Sequence, residues 1–176
     1  PMKSLISWAC TVDKINRGLN FMNKKKFTYI TALTLLSFTL MTGCTNERQE
    51  NQTAYRQIGI NAMENGDYAG AVDAFNSALG QCIGKITENE LDICYYKAAA
   101  QYAGGDSAGA VDTYTAIIDY DKKAADAYYL RGCVYLKQGN TEGAVSDFDE
   151  AVKNNSSDYE LYVNIYENLS AYDMTE

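Results

Sequence analysis

The clearest alternation of apolar and polar positions lies over Ala125–Asp158, ADAYYLRGCVYLKQGNTEGAVSDFDEAVKNNSSD. Apolar residues recur there at helical spacing on both sides of Gly139-Asn140, which predicts two short amphipathic helices joined by a tight turn. The pattern occurs twice more upstream. Gly66-Asp67 and Gly105-Asp106 take the turn position, and Ala71-Val72, Ala110-Val111 and Ala144-Val145 follow each turn at one offset. Gly105 and Gly139 lie 34 residues apart, and Gly66 and Gly105 lie 39 apart, so the first junction carries five extra residues near Lys85–Glu90.

The turns have a physical logic. Glycine just past a helix enters the left-handed region without a Cβ penalty. Asp67, Asp106 and Asn140 then offer side-chain oxygens to the orphan N–H groups of the next helix. Small residues mark where the paired helices meet: Gly59, Ala98 and Gly132 on the first helix, Ala71, Ala110 and Ala144 on the second. Aromatics fill the space beyond the crossing, with Phe75, Tyr114 and Phe148 on second helices and Tyr55 and Tyr128 on first ones.

A 34-residue helix–turn–helix period with these small residues resembles the tetratricopeptide repeat (TPR) family, over about Gln52 to Asp158. Gln101 and Ile117 depart from the family pattern, and the proline that often closes a repeat is absent, Pro1 being the only proline. The resemblance implies an all-α, TPR-type solenoid of about three repeats plus a C-terminal helix. The repeats fall at about 52–85, 91–124 and 125–158, with a half repeat at 159–169 and a tail at 170–176, the solenoid as a whole covering 54–169.

The ends of the chain have another grammar. Met22-Asn23-Lys24-Lys25-Lys26 is a basic start, and Phe27–Thr42 is an uncharged, largely apolar run. Together they describe a secretory signal peptide over 22–43. Its close, Leu40-Met41-Thr42-Gly43-Cys44, resembles the lipobox of bacterial lipoproteins, with Met41 at a place where leucine is usual. That resemblance implies acylation of Cys44, cleavage after Gly43, and a lipid anchor at the extracytoplasmic face of the cell membrane. An uncleaved anchor and an ordinary cleaved signal are the alternatives. Residues 1–21 read as an over-extended upstream start, and 44–53 as a polar tether.

Composition narrows the chemistry. The 176 residues carry 23 acidic and 15 basic side chains, a net charge of −8, and no histidine. From Cys44 onward the balance is 22 acidic to 9 basic. An acidic surface argues against nucleic acid as a partner. Without histidine the commonest general base and metal ligand is missing, so neither a catalytic residue nor a metal or other cofactor site is assigned. Cys82, Cys94 and Cys133 have no CxxC spacing. A Cys82–Cys94 disulfide across the insert is the alternative to plain buried thiols. Asp147, Asp149 and Glu150 are read as a solvated helix face.

In the TPR family the first helix of each repeat lines a concave groove that captures partner segments. The register implies Arg56, Ile60 and Met63 from the first repeat, Tyr95, Ala99 and Tyr102 from the second, and Tyr129, Cys133 and Leu136 from the third. The clamp that some members use for a carboxylate tail does not carry over: its places hold Arg56, Ile60, Tyr96, Asp126 and Leu130, with a single cation. The sequence therefore points to a membrane-anchored bacterial adaptor or scaffold that binds a protein or peptide and performs no reaction. Two alternatives stay open: an N-terminal fragment of a larger lipoprotein whose activity lies downstream, and self-association through the C-terminal face.

Overall fold

This computed structural model describes residues 47–172. The upstream segment 1–21, the signal peptide 22–43, Cys44 and the end of the tail beyond 172 lie outside the described residues. Among the described residues there are seven α-helices and no strand: α1 (47–64), α2 (Tyr68–Leu79), α3 (Glu88–Ala103), α4 (Ser107–Tyr120), α5 (Ala125–Lys137), α6 (Thr141–Asn154) and α7 (Tyr159–Ala171). They pair in order as three hairpins followed by a single helix.

Three equivalent caps make the hairpins. Asp67, Asp106 and Asn140 each accept from the backbone N–H three residues on, at Gly70, Gly109 and Gly143, over 2.9, 2.9 and 3.1 Å. The preceding turn glycines Gly66, Gly105 and Gly139 have φ of 75, 88 and 75°, where an L side chain would be strained. A Cβ on Gly70, Gly109 or Gly143 would run into the capping side chain itself. Cap and glycine thus form one unit in every hairpin.

Within the hairpins the small residues let rings seat against the opposing backbone. A Cβ on Gly59 would stand 2.5 Å from Cε1 of Phe75, and one on Gly132 would stand 2.7 Å from Cε1 of Phe148. Ala98 is fully buried in the same cluster as Tyr114. Ala71, Ala110 and Ala144 are fully buried as well. The core is divided into three clusters: around Phe75, around Tyr114 and around Phe148. Second helices also pack on the next hairpin, α2 on α3 and α4 on α5. α7 meets α6 over a short seam and lays Leu161 and Ile165 into the cluster that holds Leu136.

Three stretches differ from the sequence reading. The polar tether expected over 44–53 is helical from residue 47. Gln52 inside it is buried, because its amide donates to Oε1 of Glu90 at 2.8 Å and accepts from Nδ2 of Asn89. The first junction does more than lengthen a loop: Thr87 and Glu90 form a capping box that opens α3 one turn early. Asp147 does not sit on a solvated face. It is 5% exposed, because Arg131 reaches it from α5; Asp149 is exposed and Glu150 pairs with Lys153. Cys82, Cys94 and Cys133 are free thiols.

Candidate functional site

The residues that the sequence assigns to the groove lie on α1, α3 and α5, and the structure gives them unequal surroundings. Arg56 on α1 donates from Nε to Oδ2 of Asp92 on α3 at 2.7 Å, and its guanidinium lies 5.0 Å over the ring of Tyr96. The cation is therefore paired within the domain. Ile60 and Met63 are half-buried and pack on the Phe75 cluster.

Tyr95 and Tyr129 occupy matching places on α3 and α5. The Tyr95 ring centroid lies 6.4 Å from that of Tyr114, and the Tyr129 centroid 6.0 Å from that of Phe148. Each half-buried phenol is thus backed by a core aromatic, a rigid platform with a polar tip. The Tyr129 hydroxyl accepts from Nδ2 of Asn168 on α7 at 3.0 Å. Burial pushes both phenols up to about 12, and at Tyr95 the carboxylates of Asp126 and Asp121 add to the rise. Both are neutral hydrogen-bonding groups at physiological pH.

Tyr102 stands exposed near the end of α3 and Ala99 is half-buried one turn earlier. Cys133 is half-buried on α5, and burial pushes its thiol up, as it does that of Cys94. A raised thiol is a weak nucleophile. Leu136 is a correction: it is 3% exposed and belongs to the core, in one cluster with Phe148 and with Leu161 and Ile165 of α7. The structure brings Tyr129 and Leu136 together on one cluster and Ile60 and Met63 on another, while Tyr95 packs on the middle one.

Beside Tyr95 opens a cavity of about 350 Å³ that sequence reasoning missed. It lies where the second hairpin meets the third, with Leu91, Ile117 and Ala124 among its apolar lining and Asp121 and Asp126 at hand. Sequence gave little signal for it, since its residues come from α3, α4, α5 and the end of α6. Among the described residues no group of His, Cys, Asp and Glu is arranged to hold a metal ion, and no buried side-chain polar atom lacks a partner.

Stacked helical hairpins of this kind define the TPR-type all-α solenoid. Residues 95–159 match the family model described as tetratricopeptide repeat. Among curated proteins the chain is similar to the photosystem I assembly protein Ycf3 of Synechococcus sp. (strain CC9311), 28% identical over 144 residues, covering 78% of this chain and 77% of the relative. Among solved structures it is similar to the Yersinia enterocolitica type III secretion chaperone SycD in complex with a peptide of the translocator YopD. That match has a TM-score of 0.58 at 17% identity, over 69% of this chain and 92% of the other. The first TPR of Spaghetti (RPAP3), bound to the HSP90 peptide SRMEEVD, matches with a TM-score of 0.56 at 15% identity, over 69% of this chain and 93% of the other. At these identities the likeness is one of fold.

Proposed function

We propose that this chain is a protein–protein interaction adaptor of the bacterial cell envelope, anchored by lipid at Cys44 and capturing a segment of a partner protein through the groove side of α1, α3 and α5. The observation that carries the binding role is the repeated platform: Tyr95 and Tyr129, at matching places on successive first helices, each half-buried and each backed by a core aromatic. Tyrosine buries contact area at a small entropic cost, which suits such surfaces to recognition. Two fold neighbours, SycD and the first TPR of RPAP3, are titled as peptide complexes, and the curated relative is named for an assembly role. The anchor rests on the basic start, the apolar run and the Gly43-Cys44 close of the leader. Among the described residues no helix is long and apolar enough to cross a membrane.

Two measurements test this reading. Cross-linked capture from native envelopes, with the full chain as bait, should enrich a partner that the Tyr95→Ala/Tyr129→Ala variant loses, while circular dichroism shows the variant still helical. Equal capture by both would place recognition elsewhere. For the anchor, mass spectrometry of the protein from bacterial membranes should find a diacylglyceryl group on Cys44, and a Cys44→Ser variant should leave the membrane fraction. An unmodified Cys44 on membrane-bound protein would overturn the lipoprotein reading.

A further inference from the structure

The cavity beside Tyr95 adjoins the proposed groove and has a composition of its own. Half of its lining is apolar or aromatic: Leu91, Tyr95, Ile117, Ala124 and Ala125. Two acidic residues share the lining, Asp121 and Asp126, both exposed, and one Asp121 oxygen accepts from the Lys123 backbone N–H at 2.9 Å. Neither forms an ion pair among the described residues, and neither does Lys123, the cation that shares the lining. The amides of Asn154 and Asn155 complete the wall with further oxygen acceptors.

We propose that this cavity takes the side chain of an arginine or lysine from the partner segment, its methylenes against the apolar lining and its charged head between Asp121 and Asp126. The proposal rests on the adaptor reading and adds the chemistry of the partner. An apolar stem with a cationic tip fits a site lined by both hydrocarbon and carboxylates. The Tyr95 phenol reports the field there: after burial, Asp126 and Asp121 are the causes that oppose its ionisation. A carboxylate in the same place would meet two like charges against the single cation of Lys123. The excess of acid over base from Cys44 onward, 22 to 9, also steers a basic segment inward. Arg56, the cation expected at a groove position, is already neutralised by Asp92.

The test uses fluorescence anisotropy on the full chain in mild detergent. Two short labelled peptides share one Ala/Gln scaffold, one carrying arginines and the other glutamates at the same places. The arginine probe should bind about tenfold or more tightly than the glutamate probe, with an affinity that falls as salt rises. Asp121→Asn/Asp126→Asn should abolish that preference, whereas Asp73→Asn/Asp112→Asn, which removes the same charge from exposed sites on α2 and α4, should leave it intact. Equal losses from both double variants would reduce the effect to general charge and overturn the site. Equal binding of the two probes, or no binding of either, would overturn it as well. Partner capture by the Asp121→Asn/Asp126→Asn chain separates the two readings: if capture persists while the arginine preference is absent from wild type, the adaptor stands and the cationic site falls.

Discussion

Arg131 on α5 and Asp147 on α6 face one another across the third hairpin, joined by parallel hydrogen bonds of 2.8 Å from Nε and Nη2 to the two carboxylate oxygens. The guanidinium also donates to Oγ1 of Thr115 on α4 and lies 5.7 and 5.8 Å from the rings of Tyr128 and Tyr135. One side chain therefore ties three helices. The side chains are 15% and 7% exposed, so neither charge is well solvated.

Removing one partner leaves the other charge stranded. Asp147→Ala should destabilise the fold by on the order of 3 kcal/mol in urea unfolding. Arg131→Met/Asp147→Leu should recover most of that loss, because an apolar pair of similar volume avoids the desolvation cost. A double variant as unstable as Asp147→Ala would show that Thr115 and the tyrosine stack, more than the pair itself, hold the hairpin.

The Gly59–Phe75 contact has no slack. Gly59→Ala places a methyl group 2.5 Å from the Phe75 ring and should cost about 1–3 kcal/mol by overpacking. Adding Phe75→Leu should return part of that stability. Chemical denaturation of both variants distinguishes a steric clash from a change in helix propensity, since propensity alone makes Gly59→Ala stabilising by about 1 kcal/mol.

Caps and their glycines should act as units. Asp106→Ala removes the acceptor for the Gly109 N–H and should cost about 1 kcal/mol. Gly109→Ala pushes a Cβ into the same carboxylate and should cost a comparable amount. Together the two changes should lose less than their sum, because once the carboxylate is gone the added methyl group meets only the flexible end of Gln101, at Nε2. Thermal melts of the three variants read this directly.

Acid should loosen the first junction in a defined window. The Thr87 hydroxyl, with help from Gln52 and the Thr87 backbone, holds the Glu90 carboxyl down at about 2 against an unfolded value of 4.5. A depressed carboxylate stabilises the fold fully above 4.5, and that contribution is lost as pH falls from 4.5 towards 2. Glu90→Gln should melt lower than wild type at pH 7, with the gap closing across this window. A gap that stays constant down to pH 2 would show that the ionised state of Glu90 contributes nothing.

Much of the fold was legible because it is written in local chemistry repeated at a fixed step. Gly-Asp or Gly-Asn between amphipathic runs predicts hairpins, and Asp67, Asp106 and Asn140 cap helices as that grammar requires. Polar residues that look solvated in one dimension were harder. Gln52 lies in a run without apolar periodicity, and its burial depends on Asn89 and Glu90, 37 and 38 residues away. Asp147 shares the same difficulty, although a clue existed. At one offset of 16 residues the three hairpins carry Ile58 with Ala74, Lys97 with Thr113, and Arg131 with Asp147, so polarity changes on both helices together. Leu136 was assigned to the groove by register, and register is blind to the cluster it shares with α7.

The seam between α6 and α7 is short. In an array where each element leans mainly on its neighbours, a helix held by a short seam opens at a lower free energy. Amide protons of α7 should therefore exchange with deuterium well before those of α3–α5, which a native-state exchange experiment resolves. Since Asn168 of α7 supports the Tyr129 hydroxyl, fraying there also releases the Tyr129 side chain. A ligand that holds Tyr129 would then quiet a helix it does not touch, making α7 a built-in reporter of occupancy.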